Sequence, residues 1–422
     1  MFEKVLEQII AEFWNLKPQY IFRSFFEPYF KSKKCTAIIG PRRAGKSYLL
    51  YQIRDYLIKT KSYNLTDFLY VNFENLGLKG FTYKNFDEIL KTYNSIYPEK
   101  KPIIMFDEIQ NIDLWYKYVR NLADLGYLVY ITGSNSKMIS KEIALNLGAR
   151  YIVLKVYPFS FKEFLELKGI QFEKQNIILN HNKIVFAFKE YLAYGGFPEI
   201  TNQSPEIKKQ ILRNYFDLAL GDIIKRWSVS DNNALEIFVK KLKENITTET
   251  TIKNYCRFFK SIDYKISQRE IYRFVKYLQD SFFLFGLESQ KKSIRSRTYL
   301  KKYYFIDNGY ISLFEFEKDD GLKLENIVFC SLLKMGKEIN YYKDKKECDF
   351  IVRKDKGLQA IQVTYELNEN NREREIQGLI EALDYYDLKK GYIITGKQEE
   401  EFEKGGKKIK VIPAWKWMLM AE

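Results

Sequence analysis

Histidine is almost missing from this 422-residue chain, which has only His181. Zinc centres and acid–base couples that need paired imidazoles therefore have nothing to build on. Cysteine is scarce as well: Cys35, Cys256, Cys330 and Cys348 are scattered, with no C-x-x-C pair. That excludes zinc-finger spacing and argues against a disulfide framework. Long apolar runs are absent too. No stretch reaches about 18 uncharged apolar residues, and the opening MFEKVLEQIIAEFWN carries a charge every few positions, unlike a secretory leader. The expectation is a soluble, cytoplasmic protein without a membrane span.

Acidic charge is in deficit. Lys and Arg number 69 against 54 Asp and Glu, a formal charge of +15. Such an excess favours polyanionic partners, although a generally basic, solvated surface accounts for it equally well. The 46% hydrophobic and 17% aromatic content is enough to fill sizeable cores, and the length suits two or three domains.

The first third holds five short β-type runs: TAIIG (36–40), FLYVNF (68–73), PIIMFD (102–107), GYLVYITG (126–133) and RYIVLKV (150–156). Apolar runs alternating with amphipathic stretches such as YLLYQIRDYLIK predict a parallel sheet covered on both faces, an α/β fold. GPRRAGKS follows the first run, with Gly40, Pro41, Arg42, Arg43, Ala44, Gly45, Lys46 and Ser47 completing G-x-x-x-x-G-K-S. Glycines let the backbone wrap phosphate oxygens, the lysine adds positive charge for the β- and γ-phosphates, and the serine hydroxyl faces magnesium. PIIMFDEIQ supplies Asp107 at the end of a buried strand, placed to hold Mg²⁺, and Glu108 beside it to polarise the attacking water. Ser134 and Asn135, in ITGSNS, would emerge next to Asp107 if their strands are neighbours; a simple turn predicts the same residues. Arg150 opens the fifth run and is a candidate for the γ-phosphate of its own or a neighbouring subunit, with a surface salt bridge as the alternative.

The order phosphate loop, FDEIQ, TGSNS and YPFSFKEFL (157–165) resembles the archaeal AAA-type ATPases of the AAA+ superfamily. The likeness continues through YLAYGGFPE (191–199), YFDLALGDIIKRW (215–227), YYFIDNGY (303–310) and LENIVF (324–329), and so spans essentially the whole chain. It implies ATP and Mg²⁺ as cofactors, an ATPase domain over 1–160 and a helical lid over 161–230. On that lid Asp222 and Arg226 have the spacing of an i,i+4 ion pair.

Residues 231–306 read as three helices followed by a hairpin, which resembles a winged helix. Ser267 and Glu270 have capping-box spacing at the start of the third helix. In that arrangement the third helix enters the major groove and the hairpin lies along a phosphate backbone. Arg269, Arg273 and Lys276 on the helix, with Lys291, Lys292, Arg295 and Arg297 on the loop, would meet DNA phosphates. Winged helices also serve as protein contacts, so a protein partner remains the alternative.

From 307 to 422 the order αβββαβ resembles the restriction-endonuclease-like fold. Active members of that class carry a glutamate on the first helix, an aspartate on the second strand and Glu-x-Lys on the third. The resemblance places Glu325 and Asp349 at the first two, while Gln362 and Thr364 stand where the acid and the lysine belong. The site is therefore expected to be inactive, since a metal needs clustered negative charge. Glu347 is expected to point to the opposite face of the strand from Asp349. The whole chain reads as an ATPase coupled to DNA or a partner protein, with two alternatives: a slow nucleotide-gated switch, or an ATP-regulated nuclease. A homo-oligomer is allowed for, because Arg150 would act in trans only there.

Overall fold

A computed structural model describes residues 2–31, 34–134, 147–148, 150–290, 300–314, 319–354 and 357–421. Asn135, Lys291, Lys292, Arg295 and Arg297 lie outside the described residues. The chain divides into two compact units, residues 1–157 with 280–282, and residues 158–279 with 283–422.

The first unit is built on a parallel sheet. Strands β1 (Cys35–Ile39), β2 (Phe68–Asn72), β3 (Ile103–Asp107), β4 (Val129–Gly133) and β5 (Tyr151–Lys155) stand in the order β2-β3-β4-β1-β5. Every residue of β1, β3 and β4 is buried, which is why these runs show no alternation in sequence. Helix α1 (Glu3–Asn15) packs on β2 and on α3 (Phe86–Ile96), while α2 (Lys46–Lys61) and α4 (Trp115–Asp124) pack on β4. Ile39 pairs with Gly133 and Asn72 with Asp107, so the loops that follow β1, β3 and β4 leave one edge of the sheet together.

The second unit begins with helices α5 (Phe161–Leu167), α6 (Lys174–Leu179), α7 (His181–Tyr194) and α8 (Pro205–Trp227). Next come α9 (Asn232–Glu244), β6 (Glu249–Thr250), α10 (Ile252–Ser261), α11 (Gln268–Asp280), β7 (Leu284–Glu288) and β8 (Lys301–Phe305). The three strands form an antiparallel sheet in the order β6-β8-β7. The capping box is present at the start of α11: the Glu270 amide donates to Ser267 Oγ at 3.2 Å and the Ser267 amide to Glu270 Oε2 at 3.2 Å.

After α12 (Asn308–Ser312) and α13 (Asp320–Lys334) the chain builds a six-stranded mixed sheet. It comprises β9 (Glu338–Lys343), β10 (Glu347–Lys354), β11 (Gly357–Val363), β12 (Lys390–Thr395), β13 (Glu400–Lys404) and β14 (Lys407–Pro413), in the order β13-β14-β12-β11-β10-β9. β9, β10 and β11 form an antiparallel meander, and β12, reached through α14 (Arg372–Tyr385), runs parallel to β11. The αβββαβ order expected from sequence is thus the observed one, with the β13–β14 hairpin and α15 (Ala414–Ala421) added.

Alternation assigns the two faces of this sheet. Phe350, Val352, Ile361 and Val363 share a core with α13, α15, α5 and α7, while Ile351, Ala360 and Ile393 face α14. Helices α5 and α7, which the resemblance assigns to a lid, therefore bury Phe161, Phe164, Ile184, Phe188 and Tyr191 in the core of the C-terminal sheet.

The segments YLAYGGFPE, YYFIDNGY and LENIVF, far apart in sequence, meet in this unit. The Gly196 amide donates to Asp307 Oδ2 at 2.8 Å. Asn308 Nδ2 donates to the carbonyls of Leu192 and Lys323, each at 2.9 Å. Asn326 accepts from the Phe305 amide and donates to Asn308 Oδ1, both at 2.9 Å. Burial pushes the Asp307 carboxyl up to about 6, against the pull of the Gly196 and Gly309 amides and Lys334.

Candidate functional site

The loop Gly40–Ser47 joins β1 to α2, and its glycines are required by geometry. A Cβ on Gly40 would meet the Val156 carbonyl oxygen at 1.9 Å. Gly45 sits at φ 91° immediately before α2, a conformation that costs an L-residue energy and costs glycine little. Lys46 is buried; its Nζ donates to the Pro41 carbonyl at 3.0 Å and lies 3.5 Å from Glu108 Oε1. Arg42 pairs with Glu74 at 3.1 Å, and Arg43 is exposed.

Asp107, 1% exposed, ends β3 and is surrounded by hydroxyls. Tyr70 Oη donates to its Oδ2 at 3.0 Å, Thr132 Oγ1 donates to Oδ1, and the Ser47 hydroxyl also donates. Burial and the adjacent Glu108 charge raise the Asp107 carboxyl, while these three hydroxyls lower it; the net direction is upward. Glu108 follows at φ 51°, a left-handed conformation uncommon outside glycine. Its amide donates to Thr132 Oγ1 at 2.9 Å, and its Oε2 accepts from Gln110 Nε2. Burial works to raise Glu108, but Lys46, Gln110 and Arg42 outweigh it and hold the carboxyl below its ordinary value.

Thr132 and Tyr70 are site residues that sequence reasoning missed. Thr132 lies in the same ITGSNS segment, one turn of the alternation before Ser134. Ser134 is buried, and its Oγ has no hydrogen-bond partner among the described residues. A buried polar atom of this kind at the mouth of the site fits a ligand oxygen or water. Arg150 is not brought to the site. It precedes β5, and the register Cys35–Tyr151 to Ile39–Lys155 puts it at the edge of the sheet opposite the phosphate loop, a strand of about 16 Å away. There it is ion-paired with Asp124.

The residues fit Mg-ATP: a glycine-shaped cradle, a buried lysine, and a carboxylate–serine pair of hard oxygen donors. Over 403 residues, 92% of the chain and 88% of the relative, the sequence is 36% identical to "Uncharacterized protein MJ1544" of Methanocaldococcus jannaschii. The chain belongs to that protein's family. A Haemophilus influenzae relative is 33% identical over 90% of the chain and 93% of its own length, so the family extends beyond the archaea. Residues 32–165 match the AAA domain, followed by two domains of unknown function, DUF8612 over 185–319 and DUF4143 over 320–417. Among solved structures, Cdc6p from Pyrobaculum aerophilum superposes with a TM-score of 0.28 at 12% identity, covering 76% of this chain and 98% of that one. A score that low carries no argument about function.

Outside the AAA domain, α11 turns Arg269, Tyr272, Arg273 and Lys276 to solvent, while Ile271, Phe274, Val275 and Leu278 are buried. The spacing i, i+3, i+4, i+7 makes the exposed set one stripe. None of the described helices is long and apolar enough to cross a membrane.

In the DUF4143 region, Glu325 on α13 and Asp349 on β10 come together as expected, around Lys302 Nζ of β8. Glu347 joins them at 2.5 Å from the same nitrogen. The expectation that Glu347 faces away is overturned: residues two apart in a strand share a face. Gln362 is buried, accepting from the Asp349 amide at 3.3 Å and donating to Glu375 Oε2 at 2.6 Å. Thr364 Oγ1 donates to the Glu366 carbonyl at 3.2 Å and does not enter the cluster.

Proposed function

We propose that this family member is an ATPase that binds Mg-ATP on Gly40–Ser47 and converts it to ADP and phosphate. The observation that carries the reading is the meeting of Lys46, Ser47, Asp107, Glu108 and Thr132 at one edge of the parallel sheet. Loop amides and Lys46 bind and orient the phosphates. Magnesium, held by Ser47 and Asp107, would draw charge from the β- and γ-oxygens. Glu108, ionised through its lowered pKa, accepts the proton of the attacking water, and Thr132 ties the Asp107 carboxylate to the Glu108 backbone, donating to Asp107 Oδ1 and accepting from the Glu108 amide. Ser134, with Asn135, orients the water or the γ-phosphate.

The partner we propose is DNA. Helices α9, α10 and α11 with the β6-β8-β7 sheet have the order of a winged helix, and the stripe Arg269, Arg273 and Lys276 lies on its third helix. Lys291, Lys292, Arg295 and Arg297 would extend the phosphate contact from the connecting loop. The division we propose is an ATPase domain over 1–160, helices over 161–230, a winged-helix-like unit over 231–306, and an inactive restriction-endonuclease-like domain over 307–422.

One observation favours the slower, switch-like alternative: Glu108 and Lys46 are already paired, so nucleotide must part them before the base is free. Rates of phosphate release with and without duplex DNA separate the two readings. Strong stimulation supports a DNA-coupled ATPase, and slow unstimulated turnover supports the switch. In either case Lys46→Ala is expected to abolish ATP binding. Glu108→Gln is expected to keep binding and lose about 10²–10⁴-fold in rate, the span of general-base catalysis. A Glu108→Gln chain that turns over at the parent rate overturns the assignment.

A further inference from the structure

Lys302 lies at the start of β8, in the three-stranded sheet, yet its ammonium ends among two carboxylates of another sheet and one of helix α13. Its side chain is 1% exposed, and Nζ lies 2.5 Å from Glu347, 3.1 Å from Asp349 and 3.2 Å from Glu325. Nothing in the proposed ATPase chemistry uses this cluster. Its surroundings tie the same two sheets together. Tyr341 Oη of β9 donates to Glu249 Oε1 of β6 at 2.6 Å, and Lys343 reaches both Glu347, at 2.9 Å, and Glu249, at 3.6 Å. The Gln290 amide donates to the Tyr341 carbonyl at 3.0 Å.

An ammonium buried this deeply is tolerated only when oxygens surround it, and three carboxylates this close together need a cation between them. Tyr304 Oη donates to Glu325 Oε1 at 2.8 Å, and the Val363 amide donates to Asp349 Oδ2 at 2.9 Å. Tyr304 thus shares Glu325 Oε1 with the ammonium, and the second oxygens of Asp349 and Glu347 are held by the Val363 amide and Lys343. The ammonium stands where the αβββαβ arrangement gathers its acidic side chains. Among the described residues there is no group of three His, Cys, Asp or Glu disposed to hold a metal ion.

We propose that Lys302 is the resident cation of this pocket: a tethered ammonium that fills the place of a divalent metal ion and latches the three-stranded sheet to the six-stranded sheet. The proposal rests on the endonuclease-like reading only for where a metal would sit, and it is independent of ATP hydrolysis. It makes the winged-helix-like unit, through β8, the element that keeps the pocket closed to metal.

The test uses the full chain without nucleotide and Mn²⁺ as the probe, with bound ion counted from loss of the free-ion electron paramagnetic resonance signal. Lys302→Met is expected to bind one Mn²⁺ per chain more than the parent, and adding Asp349→Asn is expected to remove that extra ion. A folded Lys302→Met chain with the parent's Mn²⁺ count overturns the proposal. A parent ion that vanishes on Asp349→Asn alone also overturns it, because the pocket would then hold metal beside the lysine. If Lys302→Met does not fold, amide exchange on Asp349→Asn decides. Exchange over Tyr303–Phe305 is expected to quicken by roughly tenfold or more as the latch loosens, with β1–β5 unchanged. Unchanged exchange in β8 would sink the latch. ATP hydrolysis measured on the same samples reports on the nucleotide reading separately, and its absence would leave the Mn²⁺ result standing.

Discussion

Asp107 is a buried carboxylate steadied by three hydroxyls, and only one of them, from Ser47, belongs to a motif that can be read along the chain. The phosphate loop and FDEIQ are legible because their residues are contiguous and their chemistry is carried by type and spacing. Thr132 and Tyr70 are not legible, because their roles depend on which strands are neighbours: β4 and β2 flank β3, and nothing in ITGSNS or FLYVNF announces that. Glu347 goes astray for a simpler reason, since the two-residue spacing already puts it on the face of Asp349. The Thr132 hydroxyl bonds both Asp107 and the Glu108 amide, so Thr132→Val removes a partner from each. The expected result is a rate about 10- to 100-fold lower with nucleotide affinity nearly kept, and a loss of about 1–3 kcal/mol in stability from the buried group left short of a bond. Steady-state turnover and denaturant unfolding check the two effects. A variant with the parent rate would make Thr132 a purely structural residue.

At the level of elements, the strands of the first unit stand out as uniform apolar runs because both faces of their sheet are covered. The β13–β14 hairpin does not stand out. EEFEK buries little, and its charges hide the alternation; the visible signal is Gly405–Gly406, both at positive φ, the requirement of a tight two-residue turn. Helix α11 is legible from its capping box, and its exposed stripe follows from the burial of Ile271, Phe274, Val275 and Leu278. Replacing Arg269, Arg273 and Lys276 together with Ala is expected to weaken duplex binding. It should also flatten the dependence of log affinity on log salt by about 0.9 for each phosphate that is no longer neutralised. Fluorescence anisotropy at several salt concentrations measures both. An unaltered slope would exclude α11 as the DNA-facing element, and binding absent even at low salt would turn the reading toward a protein partner.

Across the whole molecule, GGFPE, FIDNGY and LENIVF converge on Asp307, Asn308 and Asn326, so these three segments are fastenings of its second unit. Sequence alone singles out these segments without giving them a purpose, because a buried hydrogen-bond network leaves no periodicity. The same unit carries the mixed sheet that we propose to be endonuclease-like, where Gln362 is neutral and an ammonium stands among the acids. The chain is therefore expected to leave supercoiled plasmid intact in Mg²⁺ or Mn²⁺, with or without ATP. Gel electrophoresis against an Asp349→Ala control checks this. Nicking by the parent that disappears in the control would make the nuclease alternative the leading reading.

The position of Arg150 has a consequence for how the protein should be assayed. Because it stands at the far edge of the sheet from its own phosphate loop, any part it takes in hydrolysis is exercised on a neighbouring copy. Activity per chain would then be a property of the solution as much as of the molecule. It should fall on dilution over a roughly hundredfold range as assemblies come apart, and Arg150→Ala should remove that curvature. A specific activity that stays flat on dilution would leave Arg150 as no more than the partner of Asp124.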